Sequence, residues 1–260
     1  MRIATWNVNS LAQRLPRVEA WLAEVRPDVL CLQETKLADT AVPAMALSAL
    51  GYEIAHHGEG RWNGVAICSR RGLDDVVTGF AAGLAPDDQA RLVTATCGGV
   101  RVLSAYVPNG RELGHDHYRY KLDWLQRLEA HLGVVAGATT PVALCGDLNI
   151  APADLDVWDP RAFEGATHVS EAERAAFARL LGTGLHDVVR DAHPEVPGLY
   201  SWWDYRAGDF HKGRGMRIDH VLLSSSLAER VRWVLIDRNA RKGDKPSDHA
   251  PVVVEVASDG

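Results

Sequence analysis

The stretch 142-VALCGDLNI-150 sets the reading of this chain. After Pro141 it starts as a short apolar run, the pattern of a buried strand. It then turns polar. Gly146 lets the backbone open or approach another segment closely. Asp147 and Asn149 follow two residues apart, so on an extended chain they point to the same side. A carboxylate and an amide leaving a buried strand together are costly unless paired, hydrated or bound to a metal. An Asx-type turn closing the strand is the plainest account. The other strand ends of the chain argue for more than a turn.

Upstream, Arg2 to Asn9 reads as a strand that turns polar at Asn7 and Asn9. Ser10 to Val25 has helical spacing, with Leu15, Val18, Leu22 and Val25 on one face, and Pro27 ends it. Asp28 to Gln33 is a second buried strand, delivering Glu34 and Lys36. Ala41 to Leu50 reads as a short helix closed by Gly51. Between Tyr52 and Tyr106 the helical period vanishes. Short runs at 52–57, 64–69, 75–78, 92–96 and 100–106, broken by glycines, predict a meander of antiparallel strands. Tyr106 ends the last of them, just before a Pro-Asn-Gly turn.

A strong amphipathic helix over Tyr118 to Leu132 leads into the 142–150 strand. Downstream, Ala151 to Ala166 is irregular and acidic. Ser170 to Leu181 is a helix with Ser170 and Glu173 as a capping box. Leu199 to Phe210 is unusually aromatic. Strands follow at Met216 to Ser224 (interrupted by Asp219 and His220), at Val231 to Ile236, and after Pro246-Ser247-Asp248-His249. This order predicts an α/β (α+β) fold: two mainly antiparallel sheets face to face, flanked by helices, in a single domain spanning 1–260.

Composition sets outer bounds. The 260 residues are 47% apolar and 24% charged, an ordinary globular balance. Cys31, Cys68, Cys97 and Cys145 each lie in a strand-like run without metal-site spacing, so they read as buried hydrophobes in a reducing compartment. The N-terminus lacks the apolar core of a signal peptide, and no run approaches a membrane span. These features predict a cytoplasmic protein. A net charge of −6 excludes a generally basic nucleic-acid coat but not a local site.

Strand-like runs end in, or are broken by, Asn7, Glu34, Tyr106, Asp147 with Asn149, Asp219, and Asp248 with His249. Each alone has a bland account: a cap, a surface acid, a core tyrosine, an ion pair of Asp219 with Arg217, a loop histidine. Together they suggest one shared rim, where the carboxylates would repel and require counter-charge. That oxygen-rich set suits Mg²⁺, or Mn²⁺ in its place, rather than zinc.

The motifs NVNSL, PDVLCLQETK, AYVPNG, CGDLNIAP, RGMRIDHVLLS and KPSDHAPV, in that order, closely resemble the exonuclease III family of apurinic/apyrimidinic endonucleases, within the endonuclease/exonuclease/phosphatase superfamily. The resemblance covers nearly the whole chain and implies a four-layer α–β–β–α sandwich. LQET and SDH occur across the superfamily; GDLNIAP with SWWDYR and RIDH is narrower and points to DNA repair. The resemblance makes Glu34 the principal metal ligand, with Asn7 and Asp248 near the metal and Asp147, Asn149 and His249 completing its surroundings. Asp147 would orient or deprotonate the attacking water and Asn149 would steady it. Asp219 and His249 would be a carboxylate–imidazole pair at the scissile phosphate, with Tyr106 beside it.

The same alignment places Trp202, Met216 and Ile218 in a pocket for a flipped-out abasic sugar. One of Trp202 and Trp203 should be core. Lys36, Asn109, Arg111, Arg206, Lys212 and Arg214 are candidate phosphate contacts. The implied activity is Mg²⁺-dependent cleavage 5′ to an abasic site, with 3′–5′ exonuclease and 3′-phosphodiesterase action on double-stranded DNA, by a monomer. Two rival readings are a superfamily phosphodiesterase on a non-nucleic substrate and a catalytically silent DNA-binding member. The chain departs from the family at His220, at Trp203, and over Trp158 to His168, where His168 is the residue to watch.

Overall fold

The computed structural model describes residues 1–135 and 140–257. The chain runs β1 (Arg2–Asn7), α1 (Leu11–Val25), β2 (Val29–Gln33), α2 (Ala44–Ala49), β3 (Glu53–His57), β4 (Val65–Ser69), β5 (Asp74–Thr78), β6 (Leu92–Cys97), β7 (Val100–Tyr106) and α3 (Asp116–Val135). It continues with β8 (Val142–Asp147), α4 (Glu171–Gly182), β9 (Leu185–Asp187), α5 (Val188–Ala192), α6 (Asp209–Lys212), β10 (Asp219–Ser224), α7 (Ser225–Ala228), β11 (Val231–Ile236) and β12 (Val252–Val256). Among the described residues no helix is long and apolar enough to cross a membrane.

The strands form two six-stranded sheets, ordered β11-β12-β1-β2-β4-β3 and β5-β6-β7-β8-β10-β9. Most pairs are antiparallel, but β1–β2 and β7–β8 are parallel. The region from 52 to 106 is therefore not one meander. β3 and β4 pair in the first sheet, and the chain then crosses to build β5, β6 and β7 in the second. Periodicity specifies a strand but not its partner. β9 and α5 have no counterpart among the expected elements, being too short to carry a period.

Period-two alternation explains why the central strands read as continuous apolar runs. In β2, Val29 and Cys31 face the other sheet while Leu30 and Leu32 face the helices α1 and α2. In β8, Ala143 and Cys145 face inward while Val142 and Leu144 meet α3 and α4. Three apolar layers result: one between the sheets and one under each helical face. The four cysteines are buried and free. The capping box at the start of α4 forms as expected, with Ser170 and Glu173 bonding reciprocally.

The inward parity brings the polar strand ends together. Ile3, Thr5 and Asn7 share it in β1, Val102, Ser104 and Tyr106 in β7, Ala143, Cys145 and Asp147 in β8, and Asp219 and Val221 in β10. Parallel pairing puts the C-terminal ends of β1 and β2 side by side, and likewise β7 and β8. Antiparallel pairing brings the starts of β10 and β12 to the same ends. The space between the sheets thus turns polar at this end. Thr5, Gln33 and Ser104 hydrogen-bond to one another there, just below the rim.

Candidate active site

Gly146 is what allows β8 to reach the rim. It has φ 154°, and a Cβ there would lie 1.9 Å from the carbonyl oxygen of Ala105 on β7. Asp147 follows, paired in register with Tyr106 on one side and Asp219 on the other. The chain then makes the expected Asx turn, with Asn149 N–H donating to Asp147 Oδ1 at 3.0 Å. The turn and the site are the same feature. Glu34, Lys36, Asn149 and His168 all hold left-handed backbone, with φ between 52° and 80°. Non-glycine residues in that conformation carry strain that surrounding structure must offset.

Asn7 ties the acids together. Its Nδ2 donates to Glu34 Oε1 and to Asp147 Oδ2, both at 2.9 Å. Its Oδ1 accepts from the Asn9 N–H at 3.0 Å. Asn7 therefore orients two carboxylates. Glu34 is also bound by Lys36 Nζ at 2.9 Å. His249 Nδ1 donates to Asp219 Oδ2 at 2.8 Å, and its Nε2 lies 3.8 Å from Asp147. Ser201 Oγ donates to the same Asp219 oxygen at 2.7 Å. Glu34, Asp147 and His249 each bring one ligand-type atom within 4.8 Å of the others.

These neighbours set the protonation states. Burial opposes ionisation of Glu34, but Lys36 and the Asn7 amide outweigh it and hold its pKa below the usual value. For Asp147, burial, with Asp219 and Glu34 nearby, outweighs the pull of His249 and pushes the carboxyl up to about 7. Burial works against a charged His249, yet the Asp219 ion pair outweighs it and raises the imidazole to about 10. Burial and the charge of Glu34 push the Tyr106 phenol upward, so it remains a proton donor. The rim thus holds a carboxyl poised near neutrality beside an imidazolium and a phenol.

The donor set fits a hard divalent cation. Two carboxylates share one small space, the acid without a lysine or arginine partner is the one whose pKa climbs, and the cluster contains no thiolate. Glu34 and Asp147 offer the oxygen atoms of that cluster and His249 its nitrogen.

The other residues that the sequence singles out separate into groups. Asp248 sits at the edge of the site, accepting from Asn9 Nδ2 at 3.0 Å and Trp202 Nε1 at 3.1 Å. Trp202 packs with buried Met216 and Ile218 against Ala151 and Val157, so the expected pocket residues do meet. Trp203 is the core member of the pair. Asn109 reaches Asn149 Oδ1 at 3.3 Å. Lys36 is turned into the site, on Glu34 and on Asn9 Oδ1 at 2.6 Å, rather than out toward solvent. Arg111, Lys212 and Arg214 are exposed, Arg214 lying over the ring of Trp158. Arg206 is exposed and paired with Asp204. Asn9 and Ser201 join the site without having been expected there. The alternation of Asn7 and Asn9 is the available signal for the first, while nothing in the sequence marks the second.

The chain belongs to the Endonuclease/Exonuclease/phosphatase family, whose model matches residues 4–249. Its sequence is similar to exodeoxyribonuclease III of Haemophilus influenzae, 34% identical over 269 residues that cover 98% of this chain and 99% of the relative. Its structure is similar to an AP endonuclease from Archaeoglobus fulgidus, with TM-score 0.95 and 37% identity over 99% of this chain and 100% of the other. It is also similar to the 3′ phosphatase NExo from Neisseria bound to product DNA hairpin, with TM-score 0.96 and 41% identity, covering 99% and 100%.

Proposed function

We propose that this protein cleaves the DNA backbone 5′ to an abasic site, leaving a 3′-hydroxyl and a 5′-deoxyribose phosphate, and clears 3′ ends. The protein is a DNA-repair nuclease of the exonuclease III kind, acting as a monomeric single domain in the cytoplasm. The observation that carries the reading is the bridge from Asn7 to both Glu34 and Asp147, beside the Asp219–His249 pair.

Each side chain has a task fixed by its neighbours. Asp147 takes a proton from the attacking water. Asn149 steadies that water. His249, kept protonated by Asp219, donates to a non-bridging oxygen of the phosphate, and the Tyr106 phenol does the same from β7. Glu34 and Asp147 would hold Mg²⁺, with Mn²⁺ as a substitute. When bound, the cation supplies positive charge against the phosphoryl and leaving oxygens.

Trp202, Met216 and Ile218 form the wall against which a sugar without a base packs; a nucleotide carrying its base meets side chains already in contact. Arg111, Lys212 and Arg214 are free to meet backbone phosphates, which makes binding salt-dependent despite the acidic total. The same rim can serve a terminal 3′ phosphate, as in the Neisseria relative.

The test is a set of duplex oligonucleotides bearing an abasic site, a 3′ phosphate or a recessed 3′ end, each with Mg²⁺ and with EDTA. Metal-dependent incision or trimming is the expected result. Inert DNA substrates alongside turnover of an inositol phosphate would move the site to a non-nucleic phosphodiester.

A further inference from the structure

Lys121 and Glu173 are the charged pair that the chemistry of the rim leaves unused. Both are fully buried. Lys121 lies on the apolar stripe of α3 with Trp124, Leu125, Leu128 and Leu132, and Glu173 on that of α4 with Ala176, Phe177 and Leu180. Their ammonium and carboxylate are in direct contact. A buried ion pair is a poor source of stability; apolar residues of similar volume would serve as well or better. Its placement needs another reason.

The hydrogen bonds supply one. Lys121 Nζ also donates to the carbonyl oxygen of Asn149 at 2.6 Å and to that of Asn109 at 3.2 Å, which uses all three of its protons. Glu173 Oε1 accepts from the Thr167 hydroxyl at 2.7 Å and from the His168 N–H at 2.9 Å. One ion pair thus grips three loop segments: the turn after β7, the turn after β8, and the loop before α4. Asn149 and His168 are two of the left-handed residues at the rim. Their side chains then close on each other. Asn149 Oδ1 lies 3.0 Å from His168 Nε2, while Asn149 Nδ2 donates to the Val107 carbonyl at 3.0 Å. The amide is thereby held from both ends.

We propose that Lys121 and Glu173 are positioning residues for phosphodiester cleavage. They clamp the three loops so that the strained Asn149 backbone, and with it the Asn149 amide, stays aimed at the attacking water. Neither residue touches the reacting atoms. The inference rests on the role given to Asn149 in the proposed function.

The test uses the full chain carrying Lys121→Met with Glu173→Gln, which removes both charges at nearly constant volume, and Lys121→Gln with Glu173→Gln, which keeps neutral hydrogen-bonding groups at both positions, should the first pair fail to fold. Three quantities are measured: single-turnover cleavage, Mg²⁺ and DNA affinity, and amide hydrogen exchange over 107–111, 148–151 and 166–169. The rate should fall about 100-fold, the scale of a roughly 1 Å misplacement, with both affinities unchanged. Asn149→Ala placed on top should cost little more, because both changes disable the same amide. Exchange should accelerate in all three segments. Wild-type cleavage with wild-type exchange would overturn the proposal, as would a loss that adds fully to that of Asn149→Ala. If the wild-type protein cuts no DNA, the catalytic reading fails on its own, and the exchange measurement still decides the clamp: unchanged protection overturns it and coordinated loosening supports it.

Discussion

Two buried clusters of charge meet at the start of β10, and they are built on opposite plans. One joins Arg217 to Asp156 and Asp187, with Arg190 also on Asp156 and neutral His220 donating from Nε2 to the Ile150 carbonyl at 2.9 Å. Each acid there has an arginine. The other, two residues along at Asp219, gathers Glu34, Asp147, Asp219 and Asp248 around the single imidazolium of His249, with Lys36 at its edge. The first cluster is closed: burial opposes Asp156 and Asp187, but the arginines outweigh it and hold both below the usual carboxylate range. The second is open: Asp147 rises because burial acts on it and, among the described residues, no lysine or arginine forms a direct ion pair with it. A structural network balances its own charge, while a site for a cation and a phosphate keeps an imbalance for its ligands to settle.

That contrast can be broken by mutation. The largest effect should come from the open cluster, where Asp147→Asn or His249→Ala removes a proton-transfer or charge-stabilising group. Each should lower single-turnover cleavage by about 10³-fold or more while the protein remains folded and binds DNA, checked by anisotropy. A variant of either that cuts normally would remove that residue from the mechanism. In the closed cluster the penalty moves to stability. Arg217→Met strands the buried Asp187 carboxylate and leaves Asp156 with Arg190 alone; it should cost about 3–5 kcal/mol in denaturant unfolding, whereas Asp147→Asn in metal-free protein should be neutral or stabilising. Equal losses from the two changes would erase the distinction.

The pH dependence sharpens the same point with a smaller effect. Asp147 has a folded pKa near 7 against about 4 unfolded. Between those values the folded state binds more protons, so metal-free stability should fall as pH rises through that window. His249, raised to about 10 from about 6.5, carries the fall onward into the alkaline range. The lowered carboxyls of Asp156 and Asp187 act oppositely: their contribution is present above about 4 and is lost as pH falls through their folded values. Thermal melting from pH 3 to 10 should show both limbs. His249→Gln should flatten only the alkaline one; a change in the acid limb instead would assign the groups wrongly. The smallest effect lies outside both clusters. Arg111→Ala should leave catalysis at saturation intact and reduce the salt slope of DNA binding by about one.

How far the sequence carries these conclusions can be judged residue by residue. Asn7, Glu34, Tyr106, Asp147, Asp219 and His249 are visible as polar endings of apolar strands, because a buried strand cannot hide a carboxylate without a purpose. Lys36 stands in the sequence as a candidate phosphate contact, yet in the fold it neutralises Glu34. Asn7 is expected near the metal; in the fold its nitrogen bridges Glu34 and Asp147 while its oxygen accepts from the Asn9 N–H. A sequence shows which groups are available and not which hydrogen-bond partner each will choose. Lys121 and Glu173 are legible only once the helices are in place, as charges standing on otherwise apolar helical stripes.

By itself the sequence determined the strands other than β9, the principal helices, the capping box at Ser170, and the set of acids, amides and imidazole that had to be accounted for. These follow from local periodicity and from the cost of burying a polar group, both of which act within a few residues. Only the tertiary structure decided that β3 and β4 would part company from β5, β6 and β7, that one cluster would close while its neighbour stayed open, and that two helices would share an ion pair behind Asn149. Those outcomes depend on which segments pack together across the sandwich, and charges gain their partners there, far apart along the chain.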